Sequence, residues 1–300
     1  MAASDKEIGI ERSKMLIESL PYIKTFQSKT FVIKIGGSTM TEMIRKDTIQ
    51  DLILLKYIGI NPVIVHGGGK EITSYLEKLN IKTEFVNGLR VTSKEAMEVV
   101  QMVLVGKVNQ HIVSALNLNG GKAIGLSGLD TDLIIAKKKM PEKIYGKDST
   151  GETVDYGFVG DVERVNPDTI LNLSKLGYIP VISPIGVGYD GESYNINADE
   201  VAGQVAQALK AEKLIMLTDV DGIYEVPGNP ATKIESLTTE KAKDMIDKSQ
   251  IKGGMIPKVM ACINAVHSGV KRTHIIDGSQ EHSVLLELFT DKGTGTMVVG

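Results

Sequence analysis

Three hundred residues are enough for two modest domains or one large α/β unit with a sizeable core. Apolar residues make up 42% of the chain and charged ones 24%, with 31 glycines against 9 prolines, which excludes disordered and collagen-like classes. Basic and acidic side chains number 34 and 37, a net charge of −3, so no overall field draws in nucleic acid or an anionic membrane.

In chain order, the first 28 residues carry Ile8, Met15, Leu16 and Leu20 on one helical face before Pro21, which is expected to break the pattern. Acids at Asp5, Glu7 and Glu11 stand where a signal peptide would have its apolar core. Thr30 to Ile35 reads as a strand, Glu42 to Ile58 as a helix and Pro62 to Val65 as a strand, followed by a helix from Glu71 to Leu79. Ser93 reads as the N-cap of a long helix reaching Leu116. A strand at Lys122 to Leu126 follows.

From Asp132 to Val165 the alternation is that of antiparallel strands around the polar stretch Lys143 to Thr153, an inserted hairpin region. The α/β alternation then resumes: helix Asp168 to Leu176, strand Ile179 to Ser183, helix Asp199 to Leu209, strand Leu214 to Thr218, helix Met255 to Ser268, strand Thr273 to Asp277 and helix Ser283 to Phe289. The pattern predicts an α/β fold, a three-layer αβα sandwich on a central, mostly parallel sheet, preceded by an N-terminal helix. No apolar run approaches the eighteen or so residues of a membrane span, and the single cysteine, Cys262, suits a reducing compartment. A soluble, cytoplasmic protein is expected.

Three glycine turns carry the first chemical signal: Gly36-Gly37 after Lys34-Ile35, Gly67-Gly68-Gly69 after His66, and Gly253-Gly254 before Met255. Glycine after a strand lets backbone N–H groups approach an anion, and the following helix N-terminus adds its positive end. Neither the P-loop nor the dinucleotide fingerprint is present. Lys34 lies inside the apolar run Phe-Val-Ile-Lys-Ile, where a cation needs an anionic partner. Lys258 stands one turn into the helix behind Gly253-Gly254. In Asn195-Ile-Asn197-Ala-Asp199, Asp199 is either an N-cap or a carboxylate holding two lysine ammoniums at a fixed separation. His66 reads as support for its turn rather than as a proton carrier.

The segments at 31–38, 63–69, 87–92, 194–199, 217–222 and 253–258 together resemble the amino acid kinase family, in particular its acetylglutamate kinase branch, from about Lys29 to Val298. The Arg90 and Asn195 segments separate that branch from aspartate, glutamate and uridylate kinases. The resemblance implies ATP-dependent phosphorylation of the side-chain carboxylate of N-acetyl-L-glutamate, with Mg2+ on the ATP phosphates and no metal site made by the chain itself. It implies that Lys34 and Lys258 neutralise the transferring and leaving phosphoryl groups and that Asp199 orients them. Gly36, Gly37, Gly68 and Gly69 would donate N–H groups. Arg90, with Asn195 and Asn197, would hold the acetylated amino acid, and Thr218, Asp219, Asp221, Gly222 and Gly254 would belong to the nucleotide side. Three parts follow: an oligomerisation helix over 1–28, an acetylglutamate lobe over 29–185 and an ATP lobe over 186–300.

The N-terminal extension and the C-terminal text resemble the arginine-inhibited members of that branch. By this resemblance L-arginine is an inhibitor held by Tyr22, His274, Glu287 and Gly293, and exchange of the N-terminal helix links dimers into a homohexamer, a trimer of dimers. Two alternatives remain open: an aspartate- or glutamate-5-kinase-type enzyme, and a non-catalytic arginine sensor or scaffold for a PII-type signalling protein.

Overall fold

The apolar hexapeptide Thr30–Ile35 forms the strand from which the fold is built, paired in parallel with Asn61–His66 on one side and Lys213–Thr218 on the other. The structure is a computed structural model that describes residues 5–36, 44–146, 149–226, 228–290 and 292–300. Eight strands form the central sheet in the order Ser236–Thr238, Thr296–Val299, Arg272–Asp277, Lys213–Thr218, Thr30–Ile35, Asn61–His66, Ile179–Ser183 and Ala123–Ser127. All neighbours run parallel except Arg272–Asp277 with Thr296–Val299. Strands buried on both faces must be apolar throughout, which is why the central ones read as continuous runs rather than alternating ones.

Side-chain alternation divides the interior into two cores. Phe31, Ile33, Ile35 and Ile64 enter one, with helices Lys46–Tyr57 and Lys94–Gln101. Val32, Val63, Val65, Leu214 and Met216 enter the other, under helices Ala198–Ala208 and Met255–His267. Lys34 continues the Val32 side. The strand's period therefore aims its one cation at the two helices that carry Asp199 and Lys258. A second sheet orders Ser193–Asn195, Ile185–Val187, Ile134–Lys138 and Gly160–Val165; the last two are the expected antiparallel strands, and the polar stretch between them, not expected to form strands, pairs Glu142–Gly146 with Ser149–Val154.

Several expectations need correction. The N-terminal helix runs Asp5–Phe26 straight through Pro21. The missing proline N–H would have met the Ile17 carbonyl, on an exposed part of the helix where water can serve it instead. Met15 and Leu16 are 58% and 73% exposed, so the apolar stripe is not covered by its own chain; Tyr22 and Phe26 anchor the helix end against Phe289 and Phe31. The helix expected from Glu42 is described from Lys46 onward. Helix Thr239–Asp247 and strands Ser236–Thr238 and Thr296–Val299 were not foreseen.

Ser93 does cap the long helix, accepting the Ala96 N–H, but Met102–Asn109 within it is π-helical before α-helix returns at Gln110–Leu118. Lys94–Leu118 is long and apolar enough by length and composition to cross a membrane, although Gln101, Lys107, Asn109, Gln110 and His111 interrupt its apolar residues. Here Val100, Leu104, Ile112 and Leu116 are spent on the protein core.

His282 joins two elements of this face. Its Nδ1 lies 2.6 Å from Oδ1 of the buried Asp51, and its N–H donates to Asp47, itself gripped by Arg45. The Asp51 hydrogen bond raises the imidazole pKa, whereas burial raises that of Asp51. A raised histidine stabilises the fold below its unfolded pKa of about 6.5 and loses that contribution as pH rises through its folded value. We expect the Tm deficit of His282→Gln to shrink steadily from about pH 5.5 to about pH 9; a deficit constant across that range would mean the pair carries no proton linkage.

Candidate active site

Three elements end at one point above the sheet. Lys34 sits near the C-terminal end of the central strand, Asp199 in the first turn of helix Ala198–Ala208 and Lys258 in the first turn of helix Met255–His267. Asp199 Oδ1 is 2.8 Å from Lys34 Nζ, and Oδ2 is 2.8 Å from Lys258 Nζ. Asp199 is not the cap of its helix: Asn197 Oδ1 accepts the Asp199 N–H at 2.8 Å, leaving the Asp199 carboxylate free for the lysines. Lys34 is only 5% exposed. Burial pulls its pKa down, Asp199 opposes that, and the like charge of Lys258 adds to it. Burial works against the Asp199 carboxylate too, yet the two lysines outweigh it and hold its pKa below the usual value. Two cations around one anion leave a net positive charge at a desolvated point, a site for a further anion.

The glycines explain how these groups fit. A Cβ on Gly36 would collide with the Lys34 ammonium, which folds back over the turn. Gly37 lies outside the described residues. Gly68 caps helix Gly69–Lys78, and a Cβ there would come within 2.6 Å of Leu104. His66 is wholly buried; burial lowers its pKa to about 4, so it supports the turn as a neutral ring.

Lys34, Asp199, Asn195, Asn197, the Gly67–Gly69 turn, Arg90 and Phe85 line a cavity of about 420 Å³. Arg90 comes from the hairpin Phe85–Val86 and Leu89–Arg90. Its Nη2 donates to the Gly69 carbonyl at 3.0 Å and to Thr73 Oγ1 at 2.6 Å, and its Nη1 to Thr83 Oγ1 at 3.3 Å. The guanidinium stacks 4.5 Å from the Phe85 ring centre, and burial lowers its pKa. A second cavity of about 730 Å³ shares Gly88, Leu89, Val159 and Asn197 with the first and runs between helices Ala198–Ala208 and Met255–His267 to Gly253 and Gly254.

The turn holding Thr218, Asp219, Asp221 and Gly222 lines neither cavity. Thr218 Oγ1 accepts the Val220 N–H, and Asp221 takes Lys233 and the Tyr224 hydroxyl. Away from these, Glu287 and His274 meet at 2.6 Å, and the N–H groups of Thr294 and Gly295 donate to the other Glu287 oxygen. Gly293 has φ +63°, and a Cβ there would press on that carboxylate at 2.6 Å, while Tyr22 rests on Phe289 of the Glu287 helix. The sequence reading missed Thr73, Thr83 and Phe85, which set Arg90, and Lys213, whose Nζ is 3.1 Å from His274 Nε2. Lys213 opens an apolar strand much as Lys34 interrupts one, so the same signal would have found it.

The sequence profile described as the amino acid kinase family matches residues 29–277. The chain belongs to the amino acid kinase family. Among curated amino acid kinases it is 51% identical to the acetylglutamate kinase of Halothermothrix orenii (97% of this chain, 98% of the relative) and 54% identical to that of Archaeoglobus fulgidus (96% and 99%). Of solved structures, an N-acetylglutamate synthase from Neisseria gonorrhoeae, complexed with coenzyme A and N-acetyl-glutamate, superposes with a TM-score of 0.80 at 25% identity. The match covers 96% of this chain and 63% of that longer one. The protein smu.665 from Streptococcus mutans superposes with a TM-score of 0.73 at 31% identity, over 90% of this chain and 98% of its own.

Proposed function

We propose that this amino acid kinase transfers the γ-phosphoryl group of ATP to the side-chain carboxylate of N-acetyl-L-glutamate, giving the acyl phosphate, the second step of arginine biosynthesis. The observation that carries the reading is the Lys34–Asp199–Lys258 cluster, whose Lys34 and Asp199 line the same cavity as Arg90; the half-identical acetylglutamate kinases support it.

The acceptor is a carboxylate, ionised near neutral pH, so no general base is required. One of its oxygens forms a bond to Pγ while the bond from Pγ to the β–γ bridging oxygen breaks, and ADP leaves with the electron pair. Lys34 neutralises the transferring phosphoryl oxygens and Lys258 the leaving side. Asp199 keeps the two ammoniums apart and charged. Gly36, Gly37, Gly68 and Gly69 supply N–H donors, Arg90 takes the α-carboxylate with its planar guanidinium, and Asn195 and Asn197 border the substrate. Both Asp199 oxygens are committed to lysines, so its chemistry fits a magnesium ion held by phosphate oxygens and water rather than by the chain. That ion would draw charge from the phosphates.

Residues 29–185 form the acetylglutamate lobe and 186–300 the ATP lobe, with Gly254 and the Thr218, Asp219, Asp221 and Gly222 turn on the nucleotide side. L-arginine inhibits through Glu287, His274, Gly293 and Tyr22, with Lys213 beside them. The exposed Met15, Leu16 and Leu20 of the N-terminal helix pack on a neighbouring subunit in a trimer of dimers. The setting is cytoplasmic.

The test offers ATP with N-acetylglutamate, glutamate or aspartate in parallel and traps product with hydroxylamine. Hydroxamate should form from N-acetylglutamate, and added arginine should suppress it. Equal trapping with a free amino acid would reassign the acceptor, and a flat arginine titration would remove the inhibitor.

A further inference from the structure

His66 is wholly buried, and both of its ring nitrogens are engaged. Nδ1 lies 2.8 Å from the Gly67 carbonyl oxygen and Nε2 lies 3.2 Å from Asn109 Nδ2. A carbonyl only accepts, so in the neutral ring the proton is on Nδ1 and Nε2 accepts from the Asn109 amide. Asn109 fixes that tautomer, because its Nδ2 also donates to the Val181 carbonyl at 2.8 Å, which rules out the flipped amide.

The Gly67 carbonyl and the Gly68 N–H belong to one planar peptide and point in opposite directions. With the oxygen held toward His66, the N–H is turned the other way, toward the cavity that Gly67, Gly68 and Gly69 line and His66 does not. Among the described residues no acceptor takes it. The π-helical segment Met102–Asn109 makes the arrangement possible. Its i→i+5 spacing brings Leu104 and Asn109 to one face, so that Leu104 and Val108 pack on Gly68 while Asn109 reaches His66. Asn109 Oδ1, buried without a partner among the described residues, lies where a Cβ on Gly125 would be.

We propose that His66 and Asn109 are positioning residues for phosphoryl transfer, fixing the direction of the Gly68 N–H, and that the π-helical turn is the device that places Asn109. The inference rests on the kinase reading of this site.

The charged groups around His66 are engaged or directed elsewhere. Lys34, on the neighbouring strand, points to the opposite face of the sheet; Lys107 lies over the Tyr75 ring; Asp47 and Asp51 hold Arg45 and His282; Lys70 is exposed and Glu71 half-buried at the cavity rim. Asn109→Asp therefore introduces one new charge. A carboxylate facing Nε2 demands a proton there. The doubly protonated ring at low pH still donates to Gly67, whereas the neutral ring at high pH carries its proton on Nε2 and releases the Gly67 carbonyl.

The test measures kcat and both KM values from about pH 6 to about pH 8.5. The ratio of Asn109→Asp to wild-type kcat should fall about tenfold as pH rises, with each KM within about threefold. His66→Phe should lose kcat by about tenfold or more, and His66→Asn, whose amide can still donate to Gly67, should recover most of it. A pH-independent ratio for Asn109→Asp, or no rescue by His66→Asn, overturns the proposal. Failure of the kinase reading would show instead as a wild-type enzyme that yields no hydroxamate. Should His66→Phe not fold, the Asn109→Asp profile decides alone.

Discussion

Asp199→Asn should lower kcat by roughly 10³ while each KM stays within about threefold, and it should move the alkaline limb of the pH–rate profile to lower pH. An amide of the same shape keeps the space filled and can still accept from one lysine. It no longer supplies the charge that offsets burial at Lys34 and the repulsion between Lys34 and Lys258. A lysine is useful here only when protonated, so activity is lost as pH rises through its pKa. With Asp199 neutral, the depression already imposed by burial deepens and the loss comes earlier. Removing one member of a buried ion pair typically costs about 3–5 kcal/mol; deprotonation of Lys34 would relieve part of that. Asp199, its pKa held down by the lysines, stabilises the native state above the ordinary carboxylate pKa and loses that contribution as pH falls through its lowered value. The variant should therefore lack that part of the acid-induced fall in Tm. Lys34→Ala belongs to the same class, with kcat falling far more than affinity. An unshifted alkaline limb in Asp199→Asn would mean that Asp199 does not set the lysine charge.

The central strands were legible because a parallel sheet covered on both faces writes itself as uninterrupted apolar runs: Thr30–Ile35 and Ile179–Ser183 stand at the residues their β-branched content marks. Lys34 was legible for the converse reason, a cation inside such a run. Ser236–Thr238, at the edge of the sheet, was not, having three residues of which two carry hydroxyls, nor was Thr296–Val299 beside it, at four residues too short to stand out as a run. Nor was helix Thr239–Asp247, whose buried Ala242 and Met245 are too few to mark a period. Pro21 misled because a proline rule states what one hydrogen bond loses and not whether water can replace it. The π-helical turn left no mark in Met102–Asn109, whose composition suits an α-helix equally well. Asn109 became meaningful only when tertiary packing brought it to His66, 43 positions away in sequence. The turn at Thr218–Gly222 lines neither cavity, and a motif places residues in sequence while a cavity is made by what lies across from them.

Arg90→Ala should raise the KM for N-acetylglutamate by about 10- to 150-fold, the range of one lost charge-assisted hydrogen bond, with kcat within a few-fold and the KM for ATP unchanged. Three of the five guanidinium N–H groups, both on Nη2 and one on Nη1, are already spent on Gly69, Thr73 and Thr83; the remaining Nε–H and Nη1–H lie on different edges of the plane, so a carboxylate takes one charge-assisted bond. Those three bonds and the Phe85 ring fix the plane before the substrate arrives, so little rotamer freedom remains to be lost on binding. Lysine has neither the planar donors that Gly69, Thr73 and Thr83 hold in place nor the stacking face, and Arg90→Lys should recover less than a third of the lost affinity. The α-carboxylate lies away from the reacting atoms and its charge does not change during transfer. An interaction with it holds ground state and transition state equally and appears in KM. Asp199 faces charge that moves during the reaction and appears in kcat. A kcat loss in Arg90→Ala as large as that of Asp199→Asn, with KM unmoved, would place Arg90 on the phosphoryl group and turn the substrate end for end in the cavity.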